Sequence, residues 1–155
     1  MSDLCPLTSA LPPRGAQRFT RYAPCSIPTT VEKPLNILTV DDEYGVANAL
    51  AFTLGNPARQ LTPVFTADEA LKKVADHSQS FDVVIIDHKM PSVSGTQLVR
   101  ALRAVNFRGK IVILSAYLTD ETRQAYAELN VDRILTKPFD AEELREVIDK
   151  VAKVA

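Results

Sequence analysis

From Leu35 onward the hydrophobic positions follow two alternating patterns. Short, near-continuous apolar runs, "LNILTV", "QLTPVFT", "FDVVIID", "KIVILS" and "DRILT", alternate with longer stretches whose apolar residues return every three or four positions. The first pattern predicts strands and the second helices. Helices are expected over "EYGVANALAFTL", with Val46, Leu50 and Leu54 on one face, then over "ADEALKKVAD", "GTQLVRALRAV" and the less apolar "TDETRQAYAEL". A last helix carries the stripe Leu144, Val147, Ile148 and Val151. Thr66 with Glu69 and Ser94 with Gln97 are spaced as capping boxes, and Asp140 with Glu143 caps the last helix.

Strands alternating with helices imply a parallel sheet covered on both faces by right-handed crossovers. Strands apolar at nearly every position fit that burial. Pro63 cannot donate to a ladder, so the second strand belongs at an edge. The expected class is α/β, a doubly wound flavodoxin-like (βα)5 domain with a five-stranded parallel sheet in the order 2-1-3-4-5.

The first 34 of the 155 residues break the pattern. They hold six of the ten prolines and show no apolar period. They are expected to form a flexible Pro-rich extension over 1–34, with the folded domain over 35–155. The extension carries four basic residues against two acidic ones, which leaves the domain net acidic. That argues against a basic nucleic-acid-binding surface. No apolar run is long enough to span a bilayer, and the N-terminus lacks the pattern of a secretory signal. Cys5 and Cys25 make neither a disulfide framework nor a metal motif, so a reduced, cytoplasmic protein is the simplest reading.

Sites in such sheets form beyond the carboxyl ends of the strands. Strand one ends on Asp41 and Asp42, strand three on Asp87, strand four on Ser115, and strand five on Thr136, Lys137 and Pro138. Each has a plainer reading. The acid pair could start a helix, where carboxylates favour the dipole. Asp87 could be a turn residue, Ser115 a loop cap, and Lys137 a snorkelling cation. All at the same end of four strands, they point to a built site. Three converging carboxylates cannot all stay charged without a cation, and hard oxygen ligands suit Mg²⁺ or Mn²⁺.

The stretches "VDDE", "VIIDHKMPSVSG", "ILSAY" and "LTKPF" resemble the receiver domains of two-component response regulators, in order and spacing, from Leu35 to about Val154. The resemblance implies that Asp87 is a phosphoacceptor forming an aspartyl phosphate. It implies that Asp41, Asp42, Asp87 and the backbone carbonyl of Lys89 hold the metal. Lys137 would pair with Asp87 and then with the phosphoryl oxygens. Ser115 would bond a phosphoryl oxygen and draw its loop inward, and a cis bond would precede Pro138. The implied partners are a histidine kinase or histidine phosphotransfer protein and a downstream protein target, with neither nucleic acid nor membrane. With no output domain after the last helix, a single-domain response regulator is expected. It would be a signalling protein rather than an enzyme, assisting only its own phosphorylation and dephosphorylation.

One position departs from the family. Many receivers carry Tyr or Phe three residues before the lysine, where this chain has Ile134. Isoleucine is stiff at χ1 and has no ring to swing. The departure questions the usual readout through helix four, strand five and helix five, while Tyr117 could gate the site or simply face solvent. Three alternatives remain. A receiver-like interaction module would work unphosphorylated. An aspartate-nucleophile phosphatase needs a second acid where Lys89 stands. A flavodoxin needs a phosphate-cradling loop where "DDEYG" is acidic.

Overall fold

Leu35–Val40 (β1), Arg59–Val64 (β2), Val83–Asp87 (β3), Lys110–Ser115 (β4) and Arg133–Thr136 (β5) are the strands. Between and after them lie Tyr44–Leu54 (α1), Ala67–Ala75 (α2), Gly95–Ala104 (α3), Asp120–Glu128 (α4) and Ala141–Lys153 (α5). The structure, a computed structural model, describes residues 33–153. Residues 1–32, with most of the expected extension and both cysteines, lie outside the described residues. All strand pairs are parallel and the order is β2-β1-β3-β4-β5, as the sequence pattern predicts. No helix among the described residues is long and apolar enough to cross a membrane.

Side-chain alternation splits the strands between two apolar layers. Leu38, Val40, Val84, Ile86, Ile111 and Ile113 face α2, α3 and α4, with Leu98, Val99, Leu102 and Tyr126 packed on them. Ile37, Val83, Ile85, Val112 and Leu114 face α1 and α5, which supply Leu50, Leu54, Leu144, Ile148 and Val151. Each fully buried Leu or Ile contributes roughly 1.5–3 kcal/mol, so two filled layers fix which face every helix covers. Val46 and Val147 are only partly buried at the edges of their stripes.

Pro63 sits on the edge strand. Asp41 N–H donates to Val64 O at 3.2 Å and Leu35 N–H to Ala58 O at 2.9 Å, so the even-numbered residues of β2 bond to β1. The missing donor of Pro63 therefore faces the free edge, where it costs nothing.

Strand starts and helix ends differ from expectation in detail. β3 begins at Val83 and β5 at Arg133, later than "FDVVIID" and "DRILT" suggest. The carboxylates of Asp82 and Asp132 accept the N–H groups of Asn36 and Ile111, both at 2.9 Å. Side chains there replace the backbone acceptors of another ladder rung. Ser94 and Gln97 form the full capping box. The other box is altered: Thr66 Oγ1 accepts from Glu69 N–H, but Glu69 reaches back to Phe65 N–H, one residue before the cap. Asp140 Oδ1 accepts Glu143 N–H at 2.7 Å and caps α5.

α3 and α4 end alike. Asn106 and Asn130 adopt φ of 61° and 56°, a region asparagine tolerates. Phe107 N–H returns to Leu102 O and Val131 N–H to Tyr126 O, completing two Schellman motifs. The guanidinium of Arg103 then joins the two ends, donating to Phe107 O, Leu129 O and Asn130 O. The C-terminal end of α4 is thus fastened to that of α3.

Candidate functional site

The carboxyl ends of β1 and β3 bring Asp41, Asp42 and Asp87 together. One carboxylate oxygen from each lies within 4.8 Å of the others. Asp41 is 3% exposed and Asp87 8%. The two oxygens of Asp41 divide the readings made from sequence. Oδ1 accepts Glu43 N–H at 2.9 Å and so helps start α1. Oδ2 is buried without any hydrogen-bond partner among the described residues, which is rare and costly for a carboxylate. Burial pushes the Asp41 pKa up, the Glu43 bond opposes it, and Asp87 adds to the rise.

Lys137 enters from β5 and donates to Asp87 Oδ1 at 2.9 Å. Its N–H donates to Ser115 O at 2.8 Å, which fixes the end of β5 against β4, and the Lys137–Pro138 bond is cis, as expected. Three carboxylates against one ammonium leave two negative charges uncompensated when all are ionised. A divalent cation carries that charge, and the orphaned Oδ2 gives it a free ligand, so the donor set fits Mg²⁺ or Mn²⁺.

Ser115 is buried at 4% exposure, at the end of β4. Its Oγ donates to Tyr117 O at 2.9 Å, so in this state the hydroxyl holds its own loop. Tyr117 is 77% exposed, which supports the solvent-facing alternative for it. The Lys89 side chain is also exposed, in a loop bridged to Ser94. Ile134 is partly buried against the layer that contains Tyr126.

Two residues near the site escape a sequence reading. His88 follows Asp87 and faces the opposite layer, where its Nδ1 lies 2.6 Å from Tyr126 Oη. Tyr126, on α4, is fully buried. Burial pushes the His88 imidazole pKa down against the pull of Asp87, and burial raises that of the Tyr126 hydroxyl, helped by the same charge. Both shifts favour the uncharged forms of the two groups. A lone aromatic in the mostly polar "DETRQAYAE" is the one signal in the sequence that could have found Tyr126.

Gly95 leaves room for this contact. A Cβ there would overlap Tyr126 Oη and stand 3.1 Å from His88 Cα. Gly95→Ala is expected to destabilise the domain by about 1–3 kcal/mol through overpacking. The loss should shrink in a Tyr126→Phe background, which removes the overlapping oxygen. Urea midpoints of the two single variants and the double variant measure this. Equal losses in both backgrounds would show that the Tyr126 hydroxyl is not the obstacle.

The family model of the response regulator receiver domain matches residues 37–149. The chain belongs to this family. As a receiver domain it takes part in phosphoryl-accepting signal transduction and is not an enzyme in the ordinary sense. It is 27% identical to sporulation initiation phosphotransferase F of Bacillus subtilis, over 74% of this chain and 90% of that protein. It is 29% identical to the transcriptional regulatory protein CiaR of Streptococcus pneumoniae, over 77% of this chain and 52% of that one. The chain thus spans nearly all of the first relative and about half of the second. Among solved structures, the receiver domain of the Francisella response regulator 1452 aligns with a TM-score of 0.70 at 28% identity, over 77% of this chain and 98% of that one. The chemotaxis protein CheY4 of Vibrio cholerae aligns with a TM-score of 0.69 at 26% identity, over 76% of this chain and 98% of that chain.

Proposed function

We propose that the chain receives a phosphoryl group on Asp87 in a Mg²⁺-dependent phosphorelay and signals through protein partners. The observation that carries the proposal is the cluster of Asp41, Asp42 and Asp87 within 4.8 Å, with Lys137 Nζ 2.9 Å from Asp87. A carboxylate oxygen of Asp87 attacks phosphorus, a new P–O bond forms, and the bond to the donor breaks. The donor's leaving group departs with its electron pair, an imidazole when the donor is a phosphohistidine. Lys137 holds the nucleophile and then stays beside the transferred group, whose oxygens carry the developing charge. Ser115 exchanges Tyr117 O for a phosphoryl oxygen. Asp41 and Asp42, with Asp87 and the backbone carbonyl of Lys89, hold the cation, which neutralises phosphoryl charge when bound. Hydrolysis of the aspartyl phosphate by water resets the site.

The donor is a histidine kinase or a histidine phosphotransfer protein. The likeness to sporulation initiation phosphotransferase F supports a role in phosphoryl transfer. Intact mass after incubation with Mg²⁺ and acetyl phosphate tests the reading. One added phosphoryl group is expected, lost when Mg²⁺ is chelated. An unchanged mass under conditions that modify an active receiver would leave the unphosphorylated interaction module in its place.

Metal binding should depend on Asp42 far more than on the Lys89 side chain. Asp42→Ala removes both a ligand and a charge, whereas a backbone carbonyl survives Lys89→Ala. Titration calorimetry with Mg²⁺ separates the two variants. Loss of binding in Lys89→Ala with binding intact in Asp42→Ala would overturn this ligand set.

A further inference from the structure

We propose that the Tyr126–His88 hydrogen bond couples the position of α4 to the state of Asp87, in place of a side chain at Ile134. The inference rests on Asp87 being the phosphoacceptor and concerns how that site is regulated.

Four observations carry it. First, α4 is lightly seated: Tyr126 is its single buried residue. Second, that residue's hydroxyl lies 2.6 Å from His88 Nδ1, its one hydrogen-bond partner among the described residues, and a buried hydroxyl without a partner is costly. α4 cannot shift against the loop after β3 without carrying the imidazole or breaking the bond. Third, His88 adjoins Asp87, and its main chain is held on both sides. Its N–H donates to Leu114 O at 2.8 Å, and its carbonyl accepts Gly95 N–H at 3.0 Å. Displacement of this loop when Asp87 is modified is therefore passed to the imidazole, on the face opposite Asp87. Fourth, the C-terminal end of α4 is fixed. Its Schellman motif and the Arg103 bonds to Leu129 O and Asn130 O hold its C-terminus to α3. Tyr126 lies in the last turn, beside this fixed end, so a small displacement of its hydroxyl pivots the helix and moves the N-terminal end at Asp120 furthest.

Ile134 packs against the same layer but brings no polar atom to it. The hydroxyl that reaches the phosphoacceptor loop comes from α4 itself. The readout is thereby built into the helix that moves, and no separate ring has to swing.

The test follows amide chemical shifts with Mg²⁺, with and without beryllofluoride, in wild type, Tyr126→Phe and His88→Ala. In wild type, shifts are expected around Asp87 and Ser115 and along Asp120–Glu128. In both variants the first group should persist and the second should be lost. A merely structural role for the bond would lower stability and leave the α4 response in place. An α4 response of wild-type size in either folded variant overturns the coupling and leaves Asp87 as phosphoacceptor. So does a wild type that responds around Asp87 but not along α4. Silence around Asp87 and Ser115 in wild type overturns the phosphoacceptor reading, and the coupling with it. Should Tyr126→Phe fail to fold, His88→Ala decides alone, because its side chain is only half-buried.

Discussion

Asp87→Asn is expected to abolish phosphoryl acceptance completely while the domain stays folded. The substitution keeps the shape of the side chain and removes its charge. An amide oxygen is too weak a nucleophile to form an acyl phosphate, and its attack would place positive charge on the amide beside Lys137. The fold should tolerate the change for two opposing reasons. Lys137 loses its ion-pair partner, but its side chain is 31% exposed, so solvent screens much of that loss. Meanwhile one of three mutually repelling carboxylates is gone. Intact mass after acetyl phosphate and Mg²⁺ should show an added phosphoryl group in wild type and none in the variant. Thermal unfolding should place the two midpoints close together. Equal labelling of both proteins would move the acceptor to another residue and remove the basis for the roles assigned to Lys137 and Ser115.

The strands and the acidic cluster were legible for one physical reason. A parallel sheet buried on both faces needs apolar residues at nearly every position, so "VVIID" and "KIVILS" stand out, and the polar residue that closes each run marks where the apolar run ends. Since ligands gather at the carboxyl ends of such strands, reading their last residues is already reading a site. Pairings decided by geometry were not legible. Nothing in spacing shows that Asp41 gives one oxygen to Glu43 N–H and leaves the other free. Nothing shows that Ser115 donates to Tyr117 O in this state, or that Glu69 overshoots its cap to Phe65. His88 and Tyr126 lie 38 residues apart, in a loop and in a helix with little apolar period. Local pattern carries information about which layer a residue faces. It carries none about which polar group it meets across that layer.

Asp41→Asn should reverse the order of stabilities with and without Mg²⁺. In metal-free protein, Asp41 is a burden: its Oδ2 is buried, unpartnered and close to two other carboxylates. An amide keeps the oxygen that accepts Glu43 N–H and puts a neutral donor in place of Oδ2. The pH dependence gives the sign. The folded-state pKa is raised above the ordinary value of 3.8, mainly by burial. Between that value and the folded pKa, the native state binds more protons than the unfolded state, so stability falls as pH rises. The favourable contribution is fully present below the unfolded pKa and is lost as pH climbs through the folded one. In EDTA, the advantage of Asp41→Asn should therefore grow through this window and stay level above it. Mg²⁺ acts in the other direction, because a ligand at about 100 times its Kd stabilises by about 2.7 kcal/mol. Losing a charged ligand should weaken binding by more than the roughly 10–100-fold that loss of an outer-shell partner costs. Wild type should gain most of that stabilisation in excess Mg²⁺, and the variant little. Denaturation midpoints at neutral pH should then place Asp41→Asn above wild type in EDTA and below it in Mg²⁺. If the variant is the less stable protein in EDTA, Asp41 is not the strained ligand its buried oxygen implies. If both proteins gain equally from Mg²⁺, the cation is held elsewhere.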